Sequence, residues 1–199
     1  MALVLNGSSN TIGGVAVGGL PDGIVDTDMI AANAVTAAKA SGRINGITQA
    51  DEWRVTASFN TSNANIITTN WARNSTNFSV LGSGMSESSG IFTFPATGIY
   101  KIEFNTMTKS YNQQVKYVVG EIITTSNNFS SEGSAGFASQ SFSNDDDANV
   151  TVNISCLFDV TNTSTHKCKF TVYSEHSITW EGDSTRNRTY ATFIRLGDT

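Results

Sequence analysis

Apolar and polar residues alternate along most of the chain after residue 52, a pattern typical of β-strands that present one face to a core. The longest run covers residues 150–160, in which each even-numbered position is apolar. Shorter runs of this kind lie at 53–59, 66–71, 78–81, 91–94, 99–107, 115–124, 168–172 and 190–196. Polar stretches separate them, and we interpret 125–149 as a long surface loop. The pattern predicts about eight to ten strands and almost no helix, folded as an all-β, antiparallel jelly-roll sandwich over residues 51–199.

The first fifty residues follow a different pattern. They contain no aromatic residue, so they cannot build a conventional core alone. Apolar residues recur there at a spacing of five, at Leu20, Val25, Ile30, Val35 and Ala40. Neither a helix nor a strand has that period, and two structures stay open for residues 21–50: a short helix over 29–40, or an extended, intertwined stem of three chains. Both need a partner surface, since an isolated helix of this length is marginal in water.

The chain is acidic and sparsely charged. Its net charge is −5, and charged residues make up only 15% of its 199 residues. Nucleic acid and anionic membranes are disfavoured as partners, because both attract basic patches. No apolar stretch approaches the roughly 18 residues that cross a membrane. The N-terminus lacks the regions of a signal peptide, so we expect synthesis in the cytoplasm without secretion.

The sequence contains none of the motifs that mark nucleophilic, metal-dependent or phosphate-binding catalysis, so we expect no enzyme activity and no cofactor. His166 and His176 lack a third ligand at a metal-site spacing. The acidic run at 145–147 lacks the Gly and Glu spacing of a calcium loop, and we interpret it as solvated. Cys156 and Cys168 fall on inward-facing positions of two strands that would belong to opposite sheets. We therefore expect two buried thiols rather than a disulfide.

Residues 92–104 resemble the signature of the trimeric jelly roll shared by tumour necrosis factor and the globular heads of complement collectins. The residues that carry the resemblance are Phe92, Gly98, Tyr100, Ile102 and Phe104. Ile102 stands where that family prefers Phe, a tolerable exchange of one apolar core residue for another. The resemblance extends over residues 50–199 and implies a compact homotrimer in which one sheet of each protomer faces the threefold axis.

The same resemblance suggests which charged residues lie at that axis. If the sheet that contains 53–59 and 99–107 faces it, then Arg54, Lys101 and Glu103 approach their copies there. Opposite charges could then pair between protomers.

Residues 6–39 resemble the N-termini of tail fibres and other virion appendages of tailed bacteriophages. The strings that carry this resemblance include LPDG at 20–23 and ANAVTAAK at 32–39. It implies that residues 1–20 form an arm that anchors the chain to a larger virion component, such as a tail adaptor, a nozzle or the capsid. The apolar residues that could anchor this arm are Leu3, Leu5, Ile12, Val15, Val17 and Leu20.

Together, the two resemblances predict a homotrimeric fibre or spike of the virion. Residues 1–20 are its arm, 21–50 its stem and 51–199 its exposed knob. Surface loops at 125–149 and 181–189 would bind a host glycan or protein, and three copies would strengthen a weak contact. Two alternatives stay open: a head decoration protein, cement protein or head fibre that stabilises the capsid, and, from another class, a free soluble trimeric lectin.

Overall fold

The computed structural model describes residues 4–6, 11–13, 46–75, 78–110, 114–141 and 148–199. The chain divides into two compact units, Met1–Asn45 and Gly46–Thr199. In the first unit, strands β1 (Val4–Asn6) and β2 (Thr11–Gly13) pair antiparallel, with Leu5 opposite Ile12. Outside the described residues lie most of the predicted stem and the remaining anchor candidates, Leu3, Val15, Val17 and Leu20.

Between residues 46 and 199, the described chain forms strands and no helix. The strands are β3 (Gln49–Val55), β4 (Ala57–Thr61), β5 (Asn65–Ile66), β6 (Trp71–Arg73), β7 (Ser86–Ser88), β8 (Ile91–Thr93), β9 (Gly98–Lys109), β10 (Val118–Thr125), β11 (Gly133–Gln140), β12 (Asn149–Val160), β13 (Lys167–Ser174), β14 (Ile178–Asp183) and β15 (Tyr190–Gly197). The described residues contain no helix with the length and apolar character needed to cross a membrane.

These strands form two antiparallel sheets. The first sheet has the order β4-β14-β9-β15-β3-β6, with β12 paired on the other side of β9. The second sheet has the order β11-β10-β13-β8-β7, with β5 also paired to β13. The chain passes from β9 to the second sheet, returns at β12 and crosses again at β13, which is jelly-roll connectivity. The predicted all-β jelly-roll sandwich is confirmed.

Aromatic rings fill the space between the sheets. Phe92 is fully buried, and its ring centre lies 5.2 Å from those of Trp71 and Phe193. Phe104 on β9 stacks on Phe170 of β13 with ring centres 4.6 Å apart. Such ring pairs add to the hydrophobic burial and join the two sheets into one core.

Four of the five residues in the predicted signature lie in this core, namely Phe92, Tyr100, Ile102 and Phe104. The fifth, Gly98, begins β9 with a φ of 138°, a conformation that L side chains rarely adopt. A Cβ added there would lie 2.4 Å from the carbonyl oxygen of Gly197. The backbone of β15 therefore leaves room only for glycine.

A buried carboxylate fixes the start of the first sheet. Asp51 is 2% exposed, and it accepts hydrogen bonds from the Arg73 guanidinium at 2.9 Å and the Trp53 indole at 2.9 Å. It also accepts one from the backbone N–H of Met85 at 2.7 Å. These bonds compensate for burying the charge, and they tie β3 to β6 and to the segment that leads into β7.

The predicted strand at 53–59 is wrong as a single element. The N–H of Thr56 donates to the carbonyl oxygen of Asn70 at 2.8 Å, and at this point the chain changes neighbours. β3 pairs with β15 up to residue 54, whereas β4 pairs with β14. The predicted strand at 78–81 is also wrong, since only Leu81 forms a single bridge there, to Ala50.

The long loop predicted at 125–149 is wrong in part, because β11 occupies Gly133–Gln140 and pairs along β10. Its sequence, GSAGFASQ, has no apolar alternation. One cause is that Ile154 of β12 fills the space beneath it: a Cβ on Gly136 would lie 2.7 Å from the Ile154 side chain. A strand whose inner face can hold only small side chains shows no alternation of apolar and polar residues in the sequence.

The two cysteines lie in opposite sheets, Cys156 on β12 and Cys168 on β13, and both are free thiols. This confirms the prediction of unpaired thiols. Burial raises the pKa of both, and it raises the pKa of the fully buried Cys168 well above its ordinary value.

Candidate oligomer interface

Strand β9 divides its side chains between the core and the opposite side of the first sheet. Ile102 and Phe104 point into the core, so Lys101, Glu103 and Asn105 lie on the other side. Antiparallel partners in register share a side, and the neighbouring strands therefore extend this surface. We call it the outer face: the side of β12, β9, β15 and β3 that is turned away from the core.

Three rows of side chains cross the outer face from β12 to β3. The first row is Leu157, Lys101, Ile194 and Ala50. The second row is Ser155, Glu103, Thr192 and Glu52. The third row is Asn153, Asn105, Tyr190 and Arg54. Two acidic and two basic residues balance one another among these positions, so the outer face can meet a second copy of itself without net repulsion.

The charges on the outer face are already paired within one protomer. The Lys101 ammonium lies 2.5 Å from the Glu103 carboxylate. The Arg54 guanidinium donates to the side-chain oxygen of Asn74, whose amide donates to Glu52 at 2.6 Å. Groups that already have partners cost less to remove from water than isolated charges do.

These contacts place all three of the charges predicted at a trimer axis on one face of the first sheet. Lys101 and Glu103 bond to each other, and Arg54 is only 3% exposed within the protomer. Pairing of these charges between protomers stays a prediction.

Leu157 is the most exposed large apolar side chain on the outer face, at 66%. It lies opposite Lys101, and Ile194 lies on the other side of that lysine, half-buried. Burying a leucine side chain fully contributes about 1.5–3 kcal/mol. Leu157 was not singled out from the sequence, although a signal is present: among the odd-numbered positions 151–159 it is the one apolar residue.

Uncharged polar groups complete the face. The Asn153 amide donates to the side-chain oxygen of Asn105 at 2.6 Å. Burial, together with the nearby Glu52 and Glu103 carboxylates, raises the pKa of Tyr190. The protonated phenol can donate a hydrogen bond to a partner surface.

The other candidates from the sequence lie elsewhere. His166 is 8% exposed and lies against Phe158, with ring centres 5.6 Å apart. His176 lies 3.9 Å from the Glu175 carboxylate. The acidic run at 145–147 falls outside the described residues, and among those described no three His, Cys, Asp or Glu side chains cluster as metal ligands would.

The predicted host-binding loop at 181–189 is held in place by ion pairs. Arg188 lies 2.7 Å from the Glu181 carboxylate and 3.3 Å from that of Asp183. Asp183 also accepts hydrogen bonds from the N–H and hydroxyl of Thr185, and these bonds lower its pKa to about 2. These ion pairs and hydrogen bonds hold the segment as an ordered turn at the end of β14.

The chain is similar to known proteins only among solved structures. No sequence model of a known family matches the chain, and no curated protein matches it. Among solved structures, Eiger TNF from S. frugiperda is 10% identical, with a TM-score of 0.58 over 78% of this chain and 96% of that one. Murine APRIL at pH 5.0 is 12% identical, with a TM-score of 0.52 over 74% and 98%.

These neighbours are TNF-family jelly-roll domains. At such low identity the likeness shows the fold alone. The resemblance of residues 50–199 to the TNF-type jelly roll is therefore confirmed for the fold, while the resemblance of the N-terminal region to phage appendages stays a prediction.

Proposed function

We propose that this chain is a homotrimeric structural protein of a bacteriophage virion. Three copies associate through the outer face, residues 1–20 attach the trimer to the particle, and residues 51–199 are presented to the host surface. The observation that carries the trimer is Leu157, two-thirds exposed in the protomer beside the Lys101–Glu103 ion pair.

Association around a threefold axis would remove this leucine from water in all three protomers at once. It would bury few charges that lack a partner, because Lys101 pairs with Glu103 and Arg54 with Asn74. A charge-balanced surface with an exposed leucine at its β12 edge can supply apolar burial to an oligomer interface without burying unpaired charges.

The virion setting is supported by residues 6–39, whose LPDG and ANAVTAAK strings are similar to those of phage appendages. A jelly-roll domain offers a rigid base for such a role, because its loops can vary while the core is kept. Three copies on one particle component also raise the local concentration of any host-binding site.

The experiment that tests this proposal uses the phage particle that encodes the chain. Purified particles are probed with gold-labelled antibody against residues 51–199, and the copies per particle are counted by quantitative mass spectrometry. We expect label on the particle and a copy number divisible by three. A protein that is absent from particles contradicts the proposal.

The same count decides where the trimer lies. A few copies with label at the tail indicate a tail fibre or spike. Hundreds of copies with label over the head indicate a decoration protein or head fibre. In the second case the trimer and the virion setting stand, and the host-binding role is replaced by reinforcement of the capsid.

A further inference from the structure

We propose that a groove at one edge of the sandwich binds a neutral hexose unit of a host-surface glycan. The edge groove lies between the β10–β11 hairpin and β12, has a volume of about 310 Å³, and is lined by residues 124–126, 131–133 and Phe158. The inference rests on the proposed function, since it names the ligand class for the host-facing domain. The groove itself is built within one protomer.

The groove exists because small residues occupy core-facing positions at this edge. Gly133 pairs with Thr124, which pairs with the fully buried Cys168, so all three lie on the inner side of the second sheet. A Cβ added to Gly133 would meet no atom within 4 Å. The gap between the sheets is therefore left open here, whereas at Gly136 the Ile154 side chain closes it.

The hairpin wall of the groove is held rigidly. Thr125 is 3% exposed, and its hydroxyl bonds the carbonyl oxygen of Ser131 at 2.6 Å and accepts from the N–H of Phe129 at 3.0 Å. The Asn127 amide donates to the Ser131 hydroxyl at 2.8 Å. A site that is ordered before its ligand arrives loses less entropy on binding.

The opposite wall supplies an aromatic surface. Phe158 is half-buried, and its ring is fixed by Phe94 at 5.7 Å and by His166 at 5.6 Å, measured between ring centres. A hexose has one face of C–H groups, and an oriented ring at the side of a groove can pack against that face. This contact requires shape and apolar surface rather than charge.

The remaining lining groups match the hydroxyls of a sugar. Glu132 is placed by Lys169, whose ammonium lies 2.5 Å from one carboxylate oxygen and 4.5 Å from the centre of the Phe129 ring. The other oxygen of Glu132 can accept hydrogen bonds from ligand hydroxyls. The hydroxyls of Thr124 and Ser126 can both donate and accept.

The charge of the groove favours a neutral ligand. Lys169, the cation paired with the lining residue Glu132, also lies over the Phe129 ring, so it offers little to a phosphate or an acidic sugar. The Glu132 carboxylate repels anions directly. A cation gains little either, because that carboxylate already has a counter-ion.

The test is saturation-transfer NMR on the full-length protein with D-glucose, D-galactose, D-mannose and N-acetyl-D-glucosamine, and with N-acetylneuraminic acid as the anionic comparison. We expect transfer to at least one neutral sugar, with millimolar affinity, and none to the anionic one. In the Gly133→Leu variant a side chain fills the groove, so binding should fall at least tenfold. Gly133→Ala and Gly46→Leu are matched controls, since a Cβ at either glycine meets no neighbour, and both should bind within threefold of the wild type.

Three results would overturn the inference: no transfer to any neutral sugar, transfer to N-acetylneuraminic acid alone, or unchanged binding in a Gly133→Leu protein whose melting temperature matches the wild type. Each leaves the trimer and its place on the particle untouched. Conversely, a monomeric protein that still binds sugar through this groove would refute the proposed trimer and leave the groove standing.

Discussion

Lys101 and Glu103, two residues apart on β9, form an ion pair of 2.5 Å on the outer face of the first sheet. Both side chains remain partly exposed, at 42% and 33%. An ion pair this exposed contributes little to the stability of one protomer. Its importance lies in what it presents to a neighbouring copy, which is a neutral surface beside the exposed Leu157.

Reversing one of these charges should weaken the trimer. Glu103→Lys places a second ammonium beside Lys101 in every protomer, so like charges meet wherever outer faces pack together. We expect association to weaken by about tenfold at low salt, with partial recovery at high ionic strength because salt screens exposed charges. Sedimentation equilibrium across a concentration series measures the effect.

The double variant Lys101→Glu/Glu103→Lys is the matched control, because it restores the pair in reverse order. Recovery of most of the association in this protein supports the account. An E103K trimer with wild-type affinity would place the interface elsewhere.

The sequence predicted the core better than the outer face. Alternation and the signature located Phe92 and Phe104, because burial between two sheets imposes apolar residues at every second position. β11 was missed because its inner face holds small residues. Gly136 is one of them, since the Ile154 side chain leaves no room for a Cβ there. Apolar alternation identifies strands whose side chains fill the core. It does not identify a strand whose inner residues must be small to leave room for the side chains of another strand.

The face residues were harder to predict for a different reason. Arg54 is buried by a contact with Asn74, twenty residues away, and the sequence gives no sign of this partner. The edge groove depends on Gly133 and Phe158, which lie on different sheets. Such sites arise from the way the two sheets close on each other, which strand patterns do not specify.

Removing the Asp51 carboxylate should destabilise the domain strongly. Asp51→Ala leaves the Arg73 guanidinium, the Trp53 indole N–H and the Met85 N–H without their shared acceptor. Arg73 is about one-third exposed and can turn towards water, but each buried donor left without its acceptor costs about 1–3 kcal/mol. Urea denaturation measures the change, and Asp51→Asn, which keeps one acceptor oxygen, should lose less. Equal loss in both variants would mean that the bonds contribute little.

The turn after β14 should depend on pH only in strongly acidic solution. The native pKa of Asp183 is about 2, lowered from 3.8 by its hydrogen bonds to Thr185. A lowered pKa means that the bonds stabilise the turn above pH 3.8, and that this contribution is lost as pH falls towards 2. The Thr185 amide shift in NMR should report a midpoint near 2. A midpoint near 3.8 would mean that these bonds are absent in solution.

The thiols should differ in reactivity. Burial raises the pKa of Cys168 well above that of an ordinary thiol. Cys156 is only half-buried, and burial raises its pKa less. The native protein should therefore react slowly with iodoacetamide at pH 8, first at Cys156, and both should react quickly in urea. Peptide mass mapping identifies the order. An intrachain disulfide on a non-reducing gel would contradict the two free thiols of the structure.

Replacing Leu157 shows whether the trimer forms through the outer face, with mass measured by light scattering on the full chain. We expect the wild type to have the mass of three 21.2 kDa chains. We expect Leu157→Asp to dissociate to monomers with an unchanged circular dichroism spectrum, because the side chain is 66% exposed within the protomer. Phe137→Asp is the matched control, an exposed apolar residue of the second sheet that should remain trimeric. A monomeric wild type, or a trimer that survives Leu157→Asp intact, would contradict association through the outer face.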